Sequence, residues 1–97
     1  MRKVKKVEII FEAIYLKKVV SLLKKHKITK YSLIRDIEGS GSHGLMLNDS
    51  DLSDVGANDY IISLCEEEEF ESLKEELRSF TKRFGGKCFV SDVNMLL

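Results

Sequence analysis

The groups in this chain best suited to chemistry are backbone amides uncovered by glycine. All six glycines fall in two segments: Gly39, Gly41, Gly44 and Gly56 in one, Gly85 and Gly86 in the other. Glycine adopts positive φ without steric cost and lets N–H groups approach a ligand closely. Gly39-Ser40-Gly41-Ser42-His43-Gly44 alternates glycine with hydroxyl donors, the raw material of an anion-binding nest. Phe84-Gly85-Gly86-Lys87 adds a lysine charge to two adjacent glycines, a combination that suits phosphate. A flexible surface loop accounts equally for the first segment taken alone. A helix cap followed by an ordinary strand lysine accounts equally for the second.

Other chemistries fit less well. A Walker A loop needs Gly-Lys-Ser/Thr opening a helix, and that pattern is missing. The first segment matches G-x-G-x-x-G by letter, but an Asp-rich, helix-poor stretch follows, so a dinucleotide fingerprint is rejected. Asn48–Asp54 resembles the start of a calcium loop, yet Asp54 stands where Gly is required and Tyr60 where Glu is required. Cys65, Cys88, His26 and His43 lack zinc-ligand spacing, and both cysteines read as small buried hydrophobes. No nucleophile–base–orienter set is visible, and no arginine cradle follows the first strand, so an acylphosphatase-type hydrolase is disfavoured and a non-enzyme is expected.

The elements that position the two glycine segments follow from periodicity. Val4 to Ile14 alternates as a strand, and Leu16 to Lys27 carries Leu16, Val19, Val20 and Leu23 at helical spacing. Tyr31–Ile37 predicts a second strand, 39–58 a long loop without Lys or Arg, and Asp59–Leu64 a third strand. Glu66–Phe84 is the clearest helix, with Phe70, Leu73, Leu77, Phe80 and Phe84 on one stripe and Gly85 as its stop. Lys87–Val93 closes the chain as a fourth strand. The order βαβ, loop, βαβ predicts a single α+β domain over 1–97: a ferredoxin-like, four-stranded antiparallel sheet with two helices on one face. Ile10, Ile14, Ile61 and Leu33 or Ile34 are expected on the opposite face, an apolar patch that implies a homo-oligomer.

Composition sets limits. The 97 residues carry no net charge, but residues 1–30 hold ten Lys/Arg against two Glu, and residues 31–97 hold six against fourteen Asp/Glu. The lysines lie on a predicted helix face without interleaved aromatics, which argues against nucleic acid. No apolar run reaches the length of a membrane span, no signal-peptide core follows the basic N-terminus, and a cytoplasmic protein is expected.

These residues carry a family resemblance. Phe84-Gly85-Gly86-Lys87-Cys88-Phe89-Val90-Ser91 resembles the C-terminal signature Gly-Asp-Gly-Lys-Ile-Phe-Val of PII signalling proteins, one residue shorter. Lys3–Ile10, Lys17-Lys18-Val19 and Ile28–Leu33 are similar to the opening of that family, and Gly39-Ser40-Gly41-Ser42-His43 falls at the root of its T-loop, here about 39–58. The family's 2-oxoglutarate glutamine has no counterpart, His43 occupying that neighbourhood, and no tyrosine stands in the loop. The closer likeness is to PII-like proteins of inorganic-carbon handling, of the carboxysome-associated and bicarbonate-transporter-regulating types.

That resemblance implies a homotrimer with an adenine nucleotide as effector in clefts between subunits, no obligatory cofactor, and a T-loop read by a partner such as a membrane transporter. Such a partner would hold the protein at the membrane periphery. Ser32 would meet the adenine edge. Gly39, Gly41, Ser42 and His43 would approach the phosphate from one side, with Gly85, Gly86 and Lys87 on the other. With Lys87 as the one strong cation and His43 mostly neutral at pH 7, AMP, ADP or cyclic AMP is expected over ATP. The alternative is a trimeric ferredoxin-like protein of the divalent-cation tolerance type, using Asp49, Asp51, Asp54 or His43 for metal.

Overall fold

In the computed structural model the described residues are 1–38 and 57–97. The elements run β1 (Arg2–Glu12), a single 3-10 turn (Ala13–Tyr15), α1 (Leu16–Lys25), β2 (Ser32–Ile37), β3 (Asn58–Cys65), α2 (Glu67–Phe84) and β4 (Lys87–Met95). The strands form one sheet in the order β2-β3-β1-β4, with every neighbouring pair antiparallel. This is the expected ferredoxin-like α+β plan. The expected loop is shorter at its far end than 39–58, because Asn58 already pairs with Glu12 and Ile37 inside the sheet.

Register decides which side chains are buried. Val7, Ile9 and Phe11 of β1 point with Ile61 and Cys65 of β3 toward the helices, where Val19, Leu23, Phe70, Leu73, Leu77 and Phe80 complete the core. Side chains alternate in a strand, so the even-numbered β1 residues and their partners take the other face. There Ile10, Ile34, Ile62, Leu64 and Phe89 form the expected apolar patch. Three of its members are markedly exposed: Ile34 at 49%, Leu64 at 43% and Phe89 at 52%. Two expectations are corrected and one alternative is settled. Ile61 is fully buried against Ile9, so the outward residue of the pair is Ile62, and of Leu33 and Ile34 it is Ile34 that faces out. Ile14 lies beyond the strand, in the 3-10 turn, because β1 ends at Glu12.

Helix ends follow local rules. α1 stops two residues earlier than periodicity suggests, in a Schellman arrangement: Ile28 N–H donates to Leu23 C=O and Lys27 N–H to Lys24 C=O, both at 2.9 Å. Lys27 takes the left-handed position with φ 66°, held there by burial of Ile28 against Leu23. Glu66 is the N-cap of α2 rather than its first residue, and forms a reciprocal capping box with Glu69. Glu76 ties the end of α1 to the middle of α2, accepting from Lys25 Nζ and from His26 Nε2 at 2.9 Å.

Leu73 is completely buried, so Leu73→Ala should cost about 2–5 kcal/mol, read as a lowered denaturant midpoint with an unchanged slope. The hydrogen bonds from Lys25 and then His26 hold the Glu76 carboxyl below its ordinary value of 4.5. A depressed carboxylate stabilises the fold above its unfolded value and loses that contribution as pH falls through the folded value. Melting curves from pH 6 down to about pH 3 should therefore drop less steeply for Glu76→Gln than for the parent chain.

Candidate functional site

The second glycine segment is a rigid joint. Tyr15, Phe80 and Phe84 stack as a cluster, with ring centroids 4.7 Å apart for Tyr15–Phe84 and 5.0 Å for Phe80–Phe84. They fix the last turn of α2 against the start of α1. Gly85 then turns the chain with φ 82°, its N–H capping Thr81 C=O, and Gly86 follows with φ 91°. Gly86 runs so close to β1 that a Cβ there would lie 2.3 Å from the Ile10 carbonyl oxygen and 3.3 Å from Phe11 Cα. Both contacts are backbone and cannot swing aside. Lys87 opens β4 opposite Ile10, exposed and on the apolar face of the sheet.

The root of the first segment stands at the same end of the sheet. Ala57 C=O accepts from Ala13 N–H at 2.9 Å, while Asn58 and Asp59 pair with Glu12 and Phe11. Gly86 and Asp59 thus flank β1 on opposite sides, about 10 Å apart by strand spacing. A pairing that sequence reasoning missed secures this root: Asp59, fully buried, accepts from Arg35 Nε at 3.1 and 3.2 Å. Asp36, in the left-handed region with φ 58°, turns its N–H toward the same carboxylate at 3.4 Å within a break in the β2–β3 register. A lone aspartate opening an apolar strand was the available signal, since a buried carboxylate needs a charge-assisted partner.

Of the expected site residues, Gly85, Gly86 and Lys87 are brought together. Ser32 is not with them: it pairs with Ile62 on the edge strand β2, across the whole sheet from β4 and about 14 Å away. It lines a groove of about 670 Å³ with Thr29, Tyr31, Ile62, Leu64 and Met95. Gly39, Gly41, Ser42 and His43 lie outside the described residues, as do Asp49, Asp51 and Asp54 of the metal alternative. Among the described residues no three His, Cys, Asp or Glu side chains are grouped to hold a metal ion. Both thiols are pushed up to about 11, chiefly by burial, which leaves them unreactive near neutral pH. No described helix is long and apolar enough to cross a membrane.

Gly86→Ala adds a methyl against the Ile10 carbonyl at a backbone conformation that L-residues avoid, so it should destabilise the fold by roughly 1–3 kcal/mol or more. A thermal melt reads the loss, and Gly44→Ala serves as the comparison.

Comparison with known proteins agrees with this architecture. No curated protein matches the chain. Among solved structures, CPII from Thiomonas intermedia K12, a nitrogen regulatory PII-like protein bound to ADP, AMP and bicarbonate, is 28% identical, with a TM-score of 0.86 over 97% of this chain and 89% of that one. A structure of CPII with ADP and bicarbonate is 29% identical, with a TM-score of 0.82 over 97% and 89%. A PII-like signalling protein from Thermus thermophilus, 22% identical, shares the fold at a TM-score of 0.74 over 94% and 87%. The family described as "Nitrogen regulatory protein P-II" matches residues 4–96. The chain therefore belongs to the nitrogen regulatory protein P-II family and is a PII-like signalling protein.

Proposed function

We propose that this chain is a non-enzymatic regulator that binds an adenine nucleotide between subunits of a homotrimer. The observation that carries the reading is the Gly85–Gly86–Lys87 joint, where two positive-φ glycines, the first with its N–H given to Thr81 C=O, lead into an exposed ammonium at the end of the sheet where Ala57 rejoins it. Ligands of the CPII relative, namely ADP, AMP and bicarbonate, support the same chemistry. Ser32 and Lys87 sit on opposite edge strands, so a nucleotide touching both is best served by Ser32 of one protomer and Lys87 of the next. The exposed Ile34, Leu64 and Phe89 supply apolar area for such an assembly. Gly39, Gly41, Ser42 and His43 would close the phosphate side from the loop root.

Nucleotide occupancy would bias the conformation of residues 39–56, and a partner would read that bias. A ligand shifts such an equilibrium only by its differential affinity for the two states. The bicarbonate in the CPII relative favours an inorganic-carbon setting, with a bicarbonate transporter as partner, over nitrogen sensing. Few-phosphate nucleotides are preferred because Lys87 is the strong cation assigned to the phosphate.

Thermal shift against AMP, ADP, cyclic AMP and ATP tests this. At about 100 times Kd a native-state ligand adds about 2.7 kcal/mol, which for a domain of this size is a rise of roughly 10 °C or more. AMP or ADP should give that rise. Lys87→Ala should weaken binding about tenfold or more while leaving the unliganded melt unchanged. ATP binding far tighter than AMP and ADP, or full binding by Lys87→Ala, contradicts the assignment.

A further inference from the structure

The cations on the two helices divide into two groups. Lys25, Lys74 and Arg78 each meet a carboxylate: Glu76, Glu71 and Glu75 respectively. Lys17, Lys18 and Lys24 of α1, with Lys82 and Arg83 at the end of α2, are exposed and form no ion pair among the described residues. Lys17, Lys18, Lys24 and Arg83 share one surface. Residues 17 and 24 are two helical turns apart, and Lys17, Lys18, Ser21, Leu22 and Lys25 line a shallow depression along α1. Lys18 Nζ lies 5.6 Å and Arg83 Cζ 5.2 Å from the centre of the same Phe84 ring, so α2 joins its cations to those of α1. Ile14, 49% exposed, heads the stripe at three and four residues before Lys17 and Lys18.

From this we infer that the outer side of α1, extended by Arg83, docks on the surface of an anionic lipid bilayer. Four of the five unpaired cations are lysines, long-stemmed point charges suited to a diffuse field of headgroups rather than to forked recognition of one carboxylate. The surface is the outer side of a helix, and the depression along it is shallow and open, without walls to enclose a peptide. The two rings beside it, Tyr15 and Phe84, stack on each other instead of standing ready for bases. The apolar face of α1, Val19 and Leu23, is buried in the core, so attraction to headgroups comes from the lysines, with exposed Ile14 at the head of the stripe as one apolar contact. Zero net charge means that attraction to a polyanion must come from this local surplus. The patch lies on the helix layer, away from the apolar sheet face, and at Arg83 it reaches to within two residues of the Gly85–Lys87 joint.

Co-sedimentation of the full chain with vesicles tests the inference. Phosphatidylcholine vesicles containing about 30 mol % phosphatidylglycerol should pellet the protein at about 50 mM salt, with the partition coefficient about tenfold lower at about 500 mM salt, where the screening length shrinks. Pure phosphatidylcholine should not pellet it. The triple variant Lys17→Gln, Lys18→Gln, Lys24→Gln should lose about tenfold or more in partitioning with the nucleotide response intact. Lys17→Gln with Lys24→Gln, which leaves the Phe84 ring contacts in place, should also weaken it, and Lys74→Gln should not. Equal binding to neutral vesicles, undiminished binding by both multiple variants, or retention on polyglutamate or RNA but not on anionic vesicles overturns the inference.

Discussion

The feature on which the rest depends is the passage of the Gly86 backbone across the carbonyl of Ile10. A side chain cannot fit there, so the chain can leave α2, turn through two positive-φ residues and enter β4 directly beside β1 only with glycine. That turn sets the register of β4, which puts Lys87 opposite Ile10 and Val90 opposite Val7. It also brings the joint to the end of β1 where Ala57 and Asn58 bring the chain back into the sheet. The aromatic stack of Tyr15, Phe80 and Phe84 braces one side of this end, and the buried Asp59 with Arg35 braces the other. Loop chemistry held by a rigid frame is the usual setting for binding sites.

Much of the frame was legible in the sequence. The stripe from Phe70 to Phe80 is unambiguous, because four large apolar residues at helical spacing have one way to be buried. Glycine pairs and the order of elements pointed to the joint and to the PII resemblance, which the family match over residues 4–96 bears out. Other features escaped for physical reasons. In Asp59-Tyr60-Ile61-Ile62 two adjacent isoleucines leave the alternation undecided, and only pairing of Ile61 with Ile9 settles which one is core. The end of α1 at Lys25 was hidden because Lys27, not glycine, occupies the left-handed cap. The Arg35–Asp59 pair spans 24 residues, and local pattern carries no information at that distance.

The charge asymmetry between the two parts of the chain takes on spatial meaning in the fold. Part of the basic surplus gathers on α1 and at the end of α2 and part, Arg2, Lys3, Lys5 and Lys6, along β1, while the carboxylates at the start of α2 serve its capping box, its positive dipole end and the ion pair of Glu66 with Arg2. The sheet's other face mixes exposed Ile34, Leu64 and Phe89 with polar groups such as Lys6, Lys87 and Tyr60, which donates to Glu8 and whose phenol that bond pushes above its ordinary value. Three surfaces of one small domain are thereby given distinct physical characters: a basic helix side, a sheet face with exposed apolar side chains, and an end where two positive-φ glycines lead into a lysine.

The central claim is that the Gly85–Gly86–Lys87 joint meets the phosphate of an adenine nucleotide. Amide NMR spectra recorded while AMP or ADP is added report on those N–H groups directly. The account predicts that the Gly85, Gly86 and Lys87 amides move together and saturate at one affinity, with Ser32 and its groove neighbours following the same curve. Saturable shifts elsewhere on the molecule with these amides unmoved would contradict it.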